Sequence, residues 1–581
     1  MKRSTALLSV TLLCLICRAE GATSKATKVP AFTPDKLQST AAGFYRWREE
    51  NFPVWSSEQG LHTLDARLTD YSAPALAKRR AHIASLLQRV RSADISSWSK
   101  DDQIDWILFR AQLERFDFDR RVLHPEETDP SRYVEEASTA IFSLLKKEYD
   151  APAARARSAM ARFRAMPAMF ADARKNLTAP VHLYTQLAIE SARSIDPLFT
   201  ASVEPLRSAL PESERPQFDH ARDAAVVSAH DFADWLEKRL PSMPGWKPMG
   251  EANYNDMLRN ILLLPFNAHD LAHLGEVEMV RYRALESLLP DPSLADPDPK
   301  RAASIPPDQQ SFLAAYQSRL DEMVRFLREK RLVTIPDYVG PFLIRQLPEA
   351  FKPTSPGGFM NPPGLYDRDN SGFYFIPTYN PESRNFYIRA AIEDPRPILG
   401  HEGIPGHFLQ ISIANKNRDE IRRHHDDTPF VEGWALYGEE MLLREGLYQP
   451  NSASEGQILR LSRYRSARIG VDVNLHTGKW SFEQGVKYFM DGGGLDRESA
   501  TGEAAGAAVS PTQKISYITG KWQIMRLLGK YRDRKGSAFR LGQFHDDLIA
   551  NGSLPLSVVE WLILDDPSTL ESVVGMKLRH E

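Results

Sequence analysis

Two histidines and two glutamates stand out by type and spacing. His401 and Glu402 open the run His401-Glu402-Gly403-Ile404-Pro405-Gly406-His407, and Glu432 follows in Phe430-Val431-Glu432-Gly433-Trp434-Ala435-Leu436-Tyr437. This is the donor set of a mononuclear zinc hydrolase. Catalytic zinc takes three protein ligands and keeps a fourth position for water. The expected ligands are His401, His407 and Glu432, for one Zn2+ per chain. Glu402 is the expected general base: zinc lowers the pKa of its water, and a carboxylate in reach takes the proton as the water attacks a carbonyl.

The spacing makes a demand on the backbone. Four residues of α-helix turn about 400°, so the two histidines of an H-E-x-x-H string share a face. Here the second histidine is six places on, a turn of about 600° that leaves the rings roughly 120° apart on a regular helix. Pro405 removes a backbone donor and Gly406 tolerates unusual dihedrals. A break at 404–406 is therefore expected, swinging His407 back beside His401; such irregularities are frequent at functional sites. Glu432 comes 25 places after His407, room for one helix, a turn and a returning helix. On that second helix Glu432 and Glu439 share a face, so Glu439 is expected to hold a ligand histidine from behind. Glu440 is expected to point to solvent.

The strings HEGIPGHFLQ and FVEGWALYGEE resemble the two signature blocks of the bacterial family catalogued as domain of unknown function 885. The resemblance covers most of the chain after its first residues, and 395–550 most specifically. Phe430-Val431-Glu432 also resembles the third-ligand block of thimet-oligopeptidase-like metallopeptidases, a group that includes carboxypeptidase Taq and angiotensin-converting enzyme. These resemblances imply a metal-dependent peptidase with a mainly α, large helical zincin-like fold. A small β-sheet is expected beside a deep central cleft. Related zinc peptidases stabilise the oxyanion with a tyrosine hydroxyl from a late helix, so the resemblance points to Tyr517, near the start of a helix expected from 511.

Other elements are expected to complete the site. Periodicity predicts a helix over 458–475. Arg468, Asp472 and His476 stand four apart on one of its faces. Turned to the cleft, that face would offer His476 to a substrate carbonyl and Arg468 to a substrate carboxylate, with Asp472 supporting them; ion pairing is the more usual fate of such arginines. Gly372-Phe373-Tyr374-Phe375-Ile376-Pro377 reads as a short strand. In the functional reading, 371–377 is an edge strand that pairs with substrate backbone, and Tyr374 touches substrate; the alternative is a buried hairpin. The small-residue runs 492–494 and 504–508 read as loops at the cleft mouth. His269, His273 and Glu276 share a helical face, but Asn267 and Asp270 read as an N-cap and its partner, which makes a capped surface helix. His424-His425-Asp426-Asp427 reads as a solvated loop before the second ligand helix.

Of 581 residues, 42% are hydrophobic and 26% charged, as in soluble globular proteins, and a formal net charge of −3 leaves no nucleic-acid footprint. Lys2 and Arg3 followed by the apolar run 6–16 read as a signal peptide, residues 1–21, whose apolar run is well short of a bilayer span. Both cysteines, Cys14 and Cys17, fall inside it. Residues 22–330 read as a helical region walling the cleft, and 331–581 as the metal-binding region. The expected protein is a periplasmic or secreted zinc peptidase of short peptides, with no nucleic-acid partner and no membrane association after signal cleavage. Two rivals stay open: a hydrolase of esters or non-peptide amides, and a non-catalytic peptide-binding protein on the same scaffold.

Overall fold

The computed structural model describes residues 32–347 and 358–579; the signal peptide expected at 1–21, with Cys14 and Cys17, lies outside the described residues. The architecture is mainly helical with one small sheet. Helix α1 (Pro34–Asn51) starts on its Thr33 cap and buries Leu37, Ala41, Phe44 and Tyr45. The short α2 (Pro53–Glu58) follows directly. Helices α3 (Ala73–Arg91) and α4 (Lys100–Phe118) bury the stripes their periodicity marks, Ile83-Leu86-Leu87-Val90 and Ile104-Ile107-Leu108-Ala111. Ser99 accepts from the Asp102 amide and donates its hydroxyl to the Asp102 carboxylate, an N-cap whose N3 side chain turns to the cap hydroxyl.

Helices α5 (Ser131–Leu145), α6 (Pro152–Asn176), α7 (His182–Arg193) and α8 (Arg215–Glu237) close around a core of their own, with Tyr133, Phe163, Phe170, Phe218 and Phe232 inside. Pro167 does not end α6; buried Phe163, Met166, Met169 and Phe170 hold the helix through the backbone hydrogen bond that proline cannot make. Helix α9 (Ala268–Glu286) opens on a complete Asn267–Asp270 capping box, with His269, His273 and Glu276 exposed. Helix α10 (Gln309–Lys330) leads to the sheet.

Strands β1 (Phe342–Gln346), β2 (Phe359–Asn361) and β3 (Gly372–Ile376) lie in the order β1-β3-β2, with β1 parallel and β2 antiparallel to β3. This corrects the expected edge strand at 371–377. β3 is central, and both sides of its backbone are taken, by Phe342↔Gly372 pairing onward and by Phe359↔Phe375. The physical reason is in its burial. All five residues are buried: Tyr374 and Ile376 join the main core and Phe373 and Phe375 a smaller one, as a strand covered on both faces requires.

The remaining elements carry the candidate site: α11 (Arg396–Glu402), α12 (His407–Ala414), α13 (Thr428–Arg444), α14 (Ala453–His476), α15 (Arg497–Val509) and α16 (Ser516–Lys535). The run 504–508, expected as a loop, is part of α15. Alanine is the best helix former, and Ala504 and Ala507 pack on Ala467, Val471 and Leu475 of α14. The largest core joins Leu37 and Phe44 of α1 and Ile107 of α4 to Phe408, Trp434 and Trp561. The N-terminal helices and the helices of the site thus share one interior. Among the described residues no helix is long and apolar enough to cross a membrane.

Candidate metal centre

The helix that starts at Arg396 stops at Glu402 and restarts at His407. Pro405, in the gap, has no N–H to continue the ladder. Gly403 still donates to Leu399 O at 2.9 Å, and Gln410 donates to Gly406 O at 3.1 Å, so each half keeps its own hydrogen bonds. Gly406 must be glycine, since a Cβ there would stand 1.9 Å from the carbonyl oxygen of His401. The indole N–H of Trp434, on α13, donates to Pro405 O at 2.8 Å and pins the break to the second helix.

The break brings the two imidazoles together, their ring centroids 4.7 Å apart at 78°. Glu432 Oε2 lies 3.5 Å from His401 Nε2 and 3.4 Å from His407 Nε2. Two donors of a tetrahedral zinc, each about 2.0–2.1 Å from the ion, stand about 3.3 Å apart, whereas a charged N–H···O bond closes to about 2.8 Å. Both observed separations lie nearer the first value than the second. Behind His401, Nδ1 lies 2.8 Å from Glu439 Oε1, which is also 3.1 Å from the Arg465 guanidinium. Glu402, half-buried, offers an oxygen that groups with nitrogens of both histidines within 4.8 Å.

The charges of the cluster act on one another. Burial and Arg465 depress the His401 pKa, but Glu432 and Glu439 outweigh them and lift it to about 9. Burial pushes the Glu432 carboxyl up, and the two histidines more than reverse this, holding it well below the usual range. Glu432 Oε2 and His407 Nδ1 are buried without a hydrogen-bond partner, and an unsatisfied buried acceptor is costly. Two imidazole nitrogens and one carboxylate oxygen are a donor set that fits a divalent ion: His401, His407 and Glu432 could hold it, with Glu402 close by.

Helix α16 crosses α13 and sets Tyr517 against this group. Its ring lies parallel to His401 at 6.3 Å, and its hydroxyl accepts from Gln513 Nε2 at 3.2 Å. Burial, reinforced by Glu432, raises the phenol pKa. Arg468 lies over the Tyr517 ring at 4.8 Å, while its guanidinium holds Glu503 at 3.1 Å and the Tyr464 hydroxyl at 2.7 Å. Tyr374 is buried in the main core, with burial first, then Tyr316 and Glu402, raising its phenol pKa.

Asp472 and His476 are placed elsewhere. Asp472 accepts from the Tyr254 hydroxyl at 2.7 Å and from the amides of Thr512 and Lys514 at 3.1 Å. His476 Nε2 donates to Ala507 O at 2.8 Å. These bonds tie α14 to the 507–514 segment rather than to the histidine pair. Glu440, expected in solvent, is buried and held by Lys521, by Arg444 at 2.5 Å and by Tyr282 at 3.2 Å. The expected solvated loop at 424–427 is also corrected. His424, His425 and Asp427 are buried: the His424 ring stacks on Tyr45 of α1 at 3.9 Å, His425 Nδ1 meets Gln112 of α4 at 3.4 Å, and the Asp427 amide donates to Ser553 O at 3.0 Å.

Sequence reasoning missed Arg465, Trp434 and the facing glycines Gly433 and Gly520. Arg465 stands one turn before Arg468 but on another part of α14, and Trp434 two places after Glu432; each had a positional signal, and only tertiary packing gives it a partner.

The family described as bacterial protein of unknown function, DUF885, matches residues 53–563. No curated protein matches. Two solved structures share the fold. One, described as a "putative lipoprotein of unknown function" from Shewanella oneidensis, superposes with a TM-score of 0.72 at 21% identity over 91% of this chain and 99% of its own. The other, described as a "putative lipoprotein" from Colwellia psychrerythraea, gives 0.72 at 16% identity over 92% and 99%.

Proposed function

This chain belongs to DUF885, a family of bacterial proteins of unknown function, and from that premise we propose that it is an exported metal-dependent hydrolase, a zincin-like metallopeptidase of short peptides. One observation carries the reading: Glu432 Oε2 stands 3.5 and 3.4 Å from the Nε2 atoms of His401 and His407, the separation of neighbouring ligands on a tetrahedral ion. A zinc ion held there would supply Lewis acidity and a water of lowered pKa.

The chain's own groups do the rest. Glu402 takes a proton from the attacking water and returns it to the leaving amine. The Tyr517 hydroxyl, kept protonated by burial and by Glu432, donates to the oxygen that becomes negative. Glu439, held by Arg465, stands 2.8 Å behind His401 Nδ1 and favours the tautomer that keeps its proton on Nδ1, which leaves Nε2 free as a donor atom. Arg468 fixes the tilt of the Tyr517 ring. The description of both solved structures as lipoproteins, with the leader-like residues 1–21, supports delivery to the periplasm or beyond.

Metal analysis together with a quenched peptide library tests this. The expected result is one bound divalent ion per chain and peptide cleavage. Glu402→Gln should keep the ion and lose about 100-fold or more of kcat, and His401→Ala should lose the ion. A parent protein that binds no divalent ion at neutral pH removes the reading. Esters and non-peptide amides assayed beside the peptides separate it from a hydrolase of other carbonyls, and bound metal without turnover would leave a peptide-binding protein.

A further inference from the structure

A cavity of about 290 Å³ lies between α1–α2 and α12, and a second of about 700 Å³ continues it; Arg48, Trp55, Glu58 and Asn361 line both. These are the dimensions of ligand pockets. The smaller cavity shares a wall with the helix that begins at His407. Ile411 and Ala414 in its wall follow His407 by four and seven places, on the same helix face. Asp426, also in the wall, lies close enough to His407 and Glu432 for both charges to act on its carboxyl.

The charges of the smaller cavity do not cancel. Its cations are Arg48, Lys146 and Arg423, and its acids Glu58 and Asp426. Lys146 and Glu58 neutralise each other at 2.8 Å. Asp426 makes no ion pair with either arginine among the described residues, and its carboxyl is pushed up by burial first, then by Glu432 against His407. Arg48 and Arg423 have no carboxylate partner among the described residues. Arg48 stacks over Trp55 at 4.2 Å, donates one N–H to His424 Nδ1 at 2.8 Å, and leaves its Nε buried with no acceptor; Arg423 Nε is equally bare. Glu49, whose charge acts on Arg48, is engaged by the Tyr366 hydroxyl. His424 cannot compensate, because burial and then both arginines push it down to about 3. An uncompensated, partly desolvated guanidinium is costly, and its planar fork matches a carboxylate. Arg468, the arginine first expected to bind a carboxylate, is already matched by Glu503.

We propose that Arg48 and Arg423 form a carboxylate-binding subsite that holds the free C-terminus of a short peptide while the chain's preceding residues reach the metal centre. The proposal rests on the hydrolase reading for its substrate class, but its test is independent of turnover. Fluorescence polarisation on the full-length, zinc-loaded Glu402→Gln protein compares a labelled short peptide with a free C-terminus, the same peptide as its amide, and an amidated peptide ending in glutamate. The free acid should bind about tenfold or more tighter than the amide. Adding Arg48→Gln or Arg423→Gln should abolish that preference, and Arg48→Lys should restore part of it. Circular dichroism of each variant controls for folding, and Arg423→Gln carries the test if Arg48→Gln does not fold. Equal binding of acid and amide overturns the proposal, as does a preference that survives in both Gln variants. An amidated glutamate peptide that binds as tightly as the free acid overturns the C-terminal assignment in favour of acidic side chains. Absence of hydrolysis by the parent would sink the hydrolase reading and leave the acid–amide difference to decide the subsite by itself.

Discussion

Gly433 and Gly520 face each other where α13 crosses α16: a Cβ on Gly433 would stand 2.5 Å from Gly520 Cα, and a Cβ on Gly520 would stand 1.8 Å from Pro429 O. Neither position has room for a methyl group. The crossing sets the distance between Glu432, beside Gly433, and Tyr517, one turn before Gly520. Gly520→Ala should push the helices apart, cost about 1–3 kcal/mol by overpacking, and weaken metal binding, although the substituted residue touches no ligand. Urea denaturation and zinc titration check this. Unchanged zinc affinity in a destabilised protein would show that the crossing supports the fold alone.

Glu439 touches His401 from behind and shares its carboxylate with Arg465. Glu439→Gln keeps the shape, removes the charge and leaves Arg465 without its acid. Metal affinity should fall about 10–100-fold, measured by competition with a chromophoric chelator. An unaltered affinity would mean that His401 needs no partner to orient it.

The Trp434–Pro405 bond ties the break between α11 and α12 to the second helix. Trp434→Phe retains most of the ring but leaves the Pro405 carbonyl buried without its donor. The expected loss is about 1–3 kcal/mol of stability, with faster hydrogen exchange localised to 403–410. Exchange that quickens evenly over the whole chain would contradict a local pin.

Glu440 gives a pH signature. Burial alone would raise its carboxyl, but Lys521 and Arg444 outweigh burial and hold it at about 2, below the ordinary 4.5. The unfolded chain therefore binds this proton more readily than the folded one. The stabilisation is complete above pH about 4.5 and is lost as pH falls towards 2, on the order of 3 kcal/mol in all. Glu440→Gln should be much less stable than the parent at pH 7, and the gap should narrow at pH 2.5. Parallel denaturation midpoints across that range would refute the assignment.

The meeting of His401, His407 and Glu432 and the helix break were legible because each follows from local spacing. Two histidines six places apart do not share a face of a regular helix, and a proline-glycine pair is where a helix stops. The helices of α3 and α4 were legible from their apolar spacing. What sequence could not give is which element lies next to which. Residues 372–376 look the same as an edge or a central strand; only the strand order shows both sides occupied. Ala504 to Ala508 carry no apolar stripe large enough to mark a helix, and the partner that buries them is α14, which ends 28 places before Ala504. Glu440 and His424 read as solvated because polar residues usually are, and their burial is imposed by Lys521 and by α1, distant in the chain.

The amide of Arg579 donates to the side chain of Gln103 at 3.0 Å, and the largest core spans Leu37 to Leu578. Segments from both ends of the described chain thus pack into the interior that holds Phe408 and Trp434, neighbours of His407 and Glu432. Trimming either end should therefore loosen a donor cluster that lies far from it in sequence.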